Sequence, residues 1–94
     1  MSTDTLRTVR VCIDVLLKDE ILDPAGQAVE RNLPKLGFEG VRDVRIGKHI
    51  ELEVPAGDDL AERVEAMADK LLVNPLLETY TWSAEDQDAE GDTP

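Results

Sequence analysis

The feature that most constrains this chain is a strict alternation of apolar residues close to its N-terminus. They occupy every second position: Val9, Val11, Ile13, Val15 and Leu17. The intervening positions are mixed and include Arg10 and Asp14. Because successive side chains of a β-strand point to opposite faces of a sheet, this period predicts a strand with one well-buried face.

A helix pattern follows the first strand. Asp23 is a favourable N-cap, and Pro24 is a favourable first helical residue. Apolar residues then recur at helical spacing: Ala25, Val29, Leu33 and Leu36. Pro34 would remove the hydrogen bond to the carbonyl of Glu30, so we expect a kink or an early stop with a final irregular turn. Gly37 can end the helix in the left-handed conformation.

Gly47 interrupts the next β-like stretch. Before it, Val44 and Ile46 alternate with charged residues. After it, apolar residues alternate again: Ile50, Leu52 and Val54. Gly47 therefore marks either a bulge between two strands or a bend in one long strand. Pro55 ends the pattern because it has no N–H for a ladder hydrogen bond.

A second helix pattern begins at Asp58 or Asp59. Its predicted inner stripe consists of Leu60, Val64, Met67 and Leu71. Asp59 and Arg63 lie four residues apart, where opposite charges pair on a helix. Asn74 and Pro75 are expected to end this helix.

A final strand pattern at residues 76–82 completes the order β-α-β-β-α-β. This order predicts a ferredoxin-like α+β sandwich, an antiparallel sheet with both helices on one face. The other face would stay bare and carry Cys12 and Leu16 among charged residues. A bare, partly apolar face is a place for another subunit. We therefore predict a two-fold homodimer made through the sheets, with a tetramer if the dimers stack further.

The chain divides by composition into one domain and two flanking segments. We expect a disordered leader at residues 1–6, a single domain at residues 7–83 and a disordered acidic tail at residues 84–94. With 21 acids against 10 bases, the formal net charge is −11. That balance argues against nucleic-acid binding and against anionic membranes. Because no signal peptide or transmembrane run is apparent, we expect a cytoplasmic protein.

No arrangement of residues in the sequence indicates catalysis. His49 is the single histidine and Cys12 the single cysteine. A histidine-based metal cluster is not expected from one chain, and a Cys12–His49 pair would require a meeting in space that the sequence does not determine. Lys48 follows Gly47, but no phosphate-binding motif surrounds them. We predict no catalytic residue, no metal site and no cofactor.

Positive charge nevertheless gathers in one stretch of this acidic chain. The candidate interface residues are Arg42, Arg45, Gly47, Lys48 and His49. One interpretation is a patch that meets carboxylates of a partner protein, with Gly47 allowing close backbone approach. On that interpretation, Arg45→Glu would weaken assembly and leave the melting temperature nearly unchanged. The other interpretation is pairing with acids of the same chain: Asp43, Glu51 and Glu53. The sequence favours neither.

Four segments together resemble the PurS family, the small subunits of phosphoribosylformylglycinamidine synthase. They are LDPAGQAV at residues 22–29, DVRIGK at residues 43–48, KLLVNP at residues 70–75, and Glu78 with Tyr80. The helix-start motif holds Asp23, Pro24 and Gly26. The resemblance covers residues 7–83. Pro34, the leader and the acidic tail depart from the family pattern.

The resemblance implies a role in purine biosynthesis. The enzyme converts formylglycinamide ribonucleotide, ATP and glutamine into formylglycinamidine ribonucleotide, ADP, phosphate and glutamate. A large synthetase subunit performs the amidation, and a glutaminase subunit releases ammonia. The PurS-like subunit is expected to form homodimers, bridge the other two and support ammonia transfer without catalytic residues of its own. The residues alone also allow a free-standing, ferredoxin-like regulatory module that binds a small molecule.

Overall fold

A computed structural model describes residues 7–86 of the chain. Its strands and α-helices are strand β1 (Thr8–Leu17), helix α1 (Pro24–Asn32), strand β2 (Lys48–Pro55), helix α2 (Leu60–Met67) and strand β3 (Glu78–Asp86). The strands form one antiparallel sheet in the order β2-β1-β3, so β1 is central. Sheet and helices together form the predicted ferredoxin-like α+β architecture.

The apolar side chains at every second position of β1 face the core, as their alternation predicts. Val11 and Ile13 are fully buried, and Ile13 lies opposite Ile50 of β2 and Trp82 of β3. Helix α2 covers this face through Val64, which is also fully buried. The core is therefore aliphatic, with Trp82 packed at its margin.

Helix α1 begins and ends as its sequence predicts. Asp23 is the N-cap, and Pro24 is the first helical residue. The α-helix stops at Asn32 and is followed by a 3₁₀ turn, Pro34–Leu36, so the expected early stop at the proline is confirmed. Gly37 closes this turn with a φ of 98°, a left-handed conformation that glycine adopts without a steric cost.

The predicted strand through Val44 and Ile46 does not form, so the sheet within residues 7–86 has three strands and not four. Asp43 has a φ of 57°, which interrupts an extended run. The amide of Val44 donates to the side chain of Glu30, and the amide of Ile46 donates to Asp23. These backbone amides therefore donate to side chains of the α1 region and not to the carbonyls of a neighbouring strand.

The predicted inner stripe of the second helix is wrong at its last member. Leu71 is 84% exposed, whereas Ala68 and Val73 are buried. The turn Ala68–Leu72 is a π-type turn, in which Val73 donates to the carbonyl of Ala68 at 2.9 Å. This hydrogen bond spans one residue more than that of an α-helix, which shifts the helical phase, so Leu71 points away from the sheet.

The last strand is longer than predicted and reaches Asp86. It therefore continues three residues into the segment expected to be a disordered tail from residue 84. The leader at residues 1–6 and the rest of that tail lie outside the described residues. None of the helices in the described part of the chain has the length and apolar character needed to span a membrane.

Candidate functional site

Asp23 joins the start of α1 to the segment that precedes β2. Its Oδ1 accepts a hydrogen bond from the amide of Gly26 at 2.9 Å, and its Oδ2 accepts one from the amide of Ile46 at 3.0 Å. The side chain is buried. These hydrogen bonds stabilise the carboxylate and lower the pKa of Asp23 below its ordinary value. The ionised carboxylate thus holds together two of the segments that carry the family resemblance (the family-like segments), residues 22–29 and residues 43–48.

Two glycines of these segments lie where no side chain fits. A Cβ atom on Gly26 would collide with the carbonyl oxygen of Val44, and one on Gly47 would collide with the carbonyl oxygen of Val15. Gly26 therefore lets the segment before β2 lie against α1. Gly47 allows a close backbone approach, and the backbone in contact is that of β1 in the same chain.

Arg45 is engaged with the end of β1. Its guanidinium donates hydrogen bonds from one terminal nitrogen to the carbonyl of Leu17 at 2.6 Å and to that of Lys18 at 3.0 Å. The side chain is half-buried. Arg45 thus binds the carbonyl of the last residue of β1 and that of the residue that follows it, which is a structural contact within the chain.

The other two cations of the stretch differ from each other. The ammonium of Lys48 lies 3.7 Å from the carboxylate of Glu78, whose side chain is 18% exposed. Arg42 is exposed and lines a shallow groove beside Gln27 and Arg31 of α1. Within residues 7–86, no salt bridge or side-chain hydrogen bond engages Arg42. Arg42 is therefore the member of the predicted patch that stays available for a partner's carboxylate.

His49 belongs to a network on the open face of the sheet. Its Nδ1 lies 2.6 Å from Oδ1 of Asp14, and its Nε2 lies 2.8 Å from Oε2 of Glu51. These hydrogen bonds raise the pKa of His49, that with Asp14 contributing most. Arg10 extends the network, since it lies 3.1 Å from Glu51 and 3.5 Å from Glu53.

The sequence did not indicate the parts of this network that β1 contributes. Asp14 lies directly opposite His49, and Cys12 lies opposite Glu51, in the register of β1 with β2. The structure therefore brings Cys12 and His49 together, a meeting that the sequence left open. In the sequence, these residues lie at alternate positions of their strands and therefore share one face of the sheet. That pattern identifies neighbouring side chains only after the register of the two strands is known.

Several large apolar side chains remain exposed in a single copy of the chain. A first group lies near α1: Leu22, Leu36, Phe38 and Val41. A second group lies after α2: Leu71, Leu76 and Leu77. Leu36 is 72% exposed and Leu76 is 80% exposed. Contiguous exposed apolar patches mark surfaces that another protein covers, so these two groups are candidate contact surfaces.

Comparison with known proteins gives a consistent family match. A family model described as "PurS: Phosphoribosylformylglycinamidine (FGAM) synthase" matches residues 10–86. The chain is similar to the subunit PurS of phosphoribosylformylglycinamidine synthase from Bacillus subtilis, with 41% identity over 78 residues that cover 82% of this chain and 93% of the relative. The corresponding subunit from Mycobacterium leprae is 42% identical over 78 residues and covers 83% of this chain and 98% of the relative.

Solved structures agree with the sequence match. The structure of Bacillus subtilis PurS gives a TM-score of 0.77 at 40% identity and covers 83% of this chain and 99% of that chain. A chain in the structure of PurLQS from Thermotoga maritima gives a TM-score of 0.73 at 34% identity and covers 82% of this chain and 96% of that chain. The fold and the family-like segments therefore agree with the same group of proteins.

Proposed function

Because this chain belongs to the PurS family of phosphoribosylformylglycinamidine synthase, we propose that it bridges the glutaminase and the ATP-dependent synthetase subunits of that enzyme. It is the small subunit of a glutamine-dependent ligase in purine biosynthesis. The chain contributes to the activity of the enzyme by holding the other subunits together, and no bond is made or broken on its own side chains.

The observation that carries the proposal is a chain of this family and fold within PurLQS from Thermotoga maritima. The exposed apolar groups near α1 and after α2 support it, because an adaptor needs more than one surface that another protein can cover. Arg42 also supports it, because this cation has no salt bridge within residues 7–86 and lies next to Val41 of the first group. Charges at the margin of an interface increase the rate at which partners meet and the specificity of their binding.

We also propose a homodimer as the unit that enters the complex. Strands β2 and β3 are the two edges of the sheet within the described residues, and an edge strand presents unpaired backbone donors and acceptors. A second copy would cover such an edge and add buried area to a small core.

Ammonia transfer gives a physical reason for a bridging part. Ammonia released into water near neutral pH is protonated and diffuses away, so a glutaminase and a synthetase must be joined by a closed interface. A rigid adaptor with several apolar surfaces can hold such an interface. We expect the assembled enzyme in the cytoplasm, as predicted from the sequence.

Sedimentation of the purified subunits tests the assembly role. The glutaminase and the synthetase should sediment as one complex only when this chain is present, in the presence of glutamine and ATP. If the two large subunits associate equally well without it, the bridging role is wrong. The regulatory-module alternative is tested by calorimetry of the chain alone with nucleotides and amino acids, where tight binding would favour that alternative.

A further inference from the structure

Three side chains with different metal-binding atoms lie together on the open face of the sheet. They are Cys12 of β1 and His49 and Glu51 of β2. The Cys12 Sγ, an imidazole nitrogen of His49 and a carboxylate oxygen of Glu51 all lie within 4.8 Å of one another. Cys12 is half-buried, whereas the other two side chains are about half exposed. The group lies on two hydrogen-bonded strands, which hold the backbone positions of its members fixed.

A second set of residues orients two of these groups. Asp14 lies 2.6 Å from Nδ1 of His49, which leaves Nε2 directed at Glu51. Arg10 lies 3.1 Å from Oε1 of Glu51, which leaves Oε2 directed at His49. Metal-binding histidines usually donate their other ring N–H to a carboxylate, and metal-binding carboxylates are hydrogen-bonded on the other oxygen. Both arrangements are present around this group.

We propose that Cys12, His49 and Glu51 form a site for a divalent metal ion of the zinc type. Thiolate and imidazole ligands favour Zn²⁺ over Mg²⁺ or Ca²⁺, which prefer oxygen ligands. Three protein ligands leave the fourth tetrahedral position to water. Asp14 and Arg10 are positioning residues, because each acts through a ligand and does not reach the ion itself.

Metal binding requires small movements of the ligand atoms, some towards one another and some apart. Zinc lies about 2.3 Å from sulfur and about 2.0 Å from nitrogen, so the ligands of one ion lie within about 4 Å of one another. Exposed side chains on adjacent strands close the remaining distance by rotation. The ion would lie between Nε2 of His49 and Oε2 of Glu51, which are now 2.8 Å apart, and would separate them. The thiol proton of Cys12 passes to solvent as the sulfur–metal bond forms.

This site goes beyond the proposed assembly role and differs from the sequence-based expectation of no metal site. That expectation depended on the single histidine in the chain. It did not include the register that places Cys12 across from Glu51 and Asp14 across from His49.

Titration of the full chain with Co²⁺, in buffer containing a phosphine reductant, tests the site. Co²⁺ bound to a thiolate gives a charge-transfer absorption that carboxylate-bound Co²⁺ lacks. We expect this absorption to saturate at one Co²⁺ per chain and to disappear when Zn²⁺ is added. A competing chelator removes ions held weakly by the many surface acids.

Variants separate ligands from positioning residues. Cys12→Ser should abolish the charge-transfer absorption, and Glu51→Gln should weaken binding with the absorption retained at saturation. Asp14→Asn should lower the affinity by about 10- to 100-fold while keeping the absorption. Glu62→Gln is the matched control, because it removes the same charge at an exposed position of α2, which covers the other face of the sheet, and its affinity should equal that of the unaltered chain. The proposal is wrong if the unaltered chain gives no thiolate absorption or if Glu51→Gln binds as tightly as Glu62→Gln.

Discussion

The carboxylate of Asp23 accepts a hydrogen bond from the amide of Ile46 at 3.0 Å, although 23 residues separate them. The same side chain caps α1 through the amide of Gly26. One buried carboxylate therefore fixes where the helix begins and where the segment before β2 lies. The first two family-like segments are joined physically at this point.

Replacing Asp23 by Asn should destabilise the chain in a pH-dependent way. The amide offers one acceptor oxygen where the carboxylate offers two, so one of the two amides loses its partner. The folded pKa of Asp23 is lowered, so its contribution is present above the unfolded pKa of about 3.9 and is lost as the pH falls through the folded value. The difference in melting temperature between the two proteins should be largest at neutral pH and shrink below about pH 4.

Circular dichroism at fixed protein concentration measures this difference over the pH series. The comparison isolates Asp23 from the other acids, because both proteins carry those acids unchanged. A difference in melting temperature that stays constant down to about pH 3 would show that the charge of Asp23 has no role.

Gly26→Ala should destabilise the fold through overpacking. The added Cβ would collide with the carbonyl oxygen of Val44, a backbone atom that cannot move alone. Overpacking of this kind costs about 1–3 kcal/mol. Gly57→Ala is the control, since a Cβ there meets side-chain atoms of Asp59 and Arg63 at 3.1 and 3.3 Å, and these side chains can rotate. Urea unfolding should give a lower midpoint for Gly26→Ala only; equal midpoints would contradict the close approach.

Arg42 and Arg45 should respond differently to the same substitution. The guanidinium of Arg45 binds two backbone carbonyls of its own chain, so Arg45→Glu should lower the melting temperature. This reverses the outcome expected from the sequence, where Arg45 was a partner-interface candidate. Arg42 has no such contact within the described residues, so Arg42→Glu should keep the melting temperature and weaken assembly.

Differential scanning calorimetry and co-sedimentation with the glutaminase and synthetase provide the two measurements for this pair of arginines. An Arg45→Glu protein that melts like the unaltered chain would restore the partner interpretation of Arg45. An Arg42→Glu protein that assembles normally would remove Arg42 from the interface.

Polar substitutions in the exposed apolar groups should separate assembly from stability. Leu36 and Leu71 are 72% and 84% exposed, so Leu36→Gln and Leu71→Gln remove little buried area from a single copy. Each should therefore leave the fold intact and weaken association with another copy or with the large subunits. Ile13→Ala is the contrasting variant, since Ile13 is fully buried, and it should cost about 2–5 kcal/mol of stability. Normal assembly by both leucine variants would show that neither group is an interface.

Local patterns in the sequence were enough to predict β1, the start of α1 and its early stop. Each depends on neighbours within a few residues, such as the cap at Asp23 and the missing N–H of Pro34. The strand predicted through Val44 failed because Asp43 adopts a left-handed conformation and distant side chains bind the amides. The prediction that Leu71 belongs to the buried stripe of α2 was wrong because one π-type turn changed the helical phase.

The candidate sites were harder to predict, because they depend on residues brought together across strands. The residue that positions His49 is Asp14 of β1, which lies 35 residues earlier in the chain. From the sequence, Arg45 was interpreted as a surface charge. Its partners are backbone carbonyls, which every residue carries, so no residue type in the sequence indicates them. Family resemblance identified the function, whereas contacts within the chain explain what several of the family-like residues do.

The bridging role is tested most directly by the rate of formylglycinamidine ribonucleotide formation in a mixture of purified glutaminase and synthetase, with and without this chain. With glutamine as the nitrogen source, the rate should depend on the chain and saturate as it is added. With ammonium chloride in excess, the synthetase alone should form product at a rate that the chain hardly changes. A full glutamine-dependent rate in its absence would contradict the account.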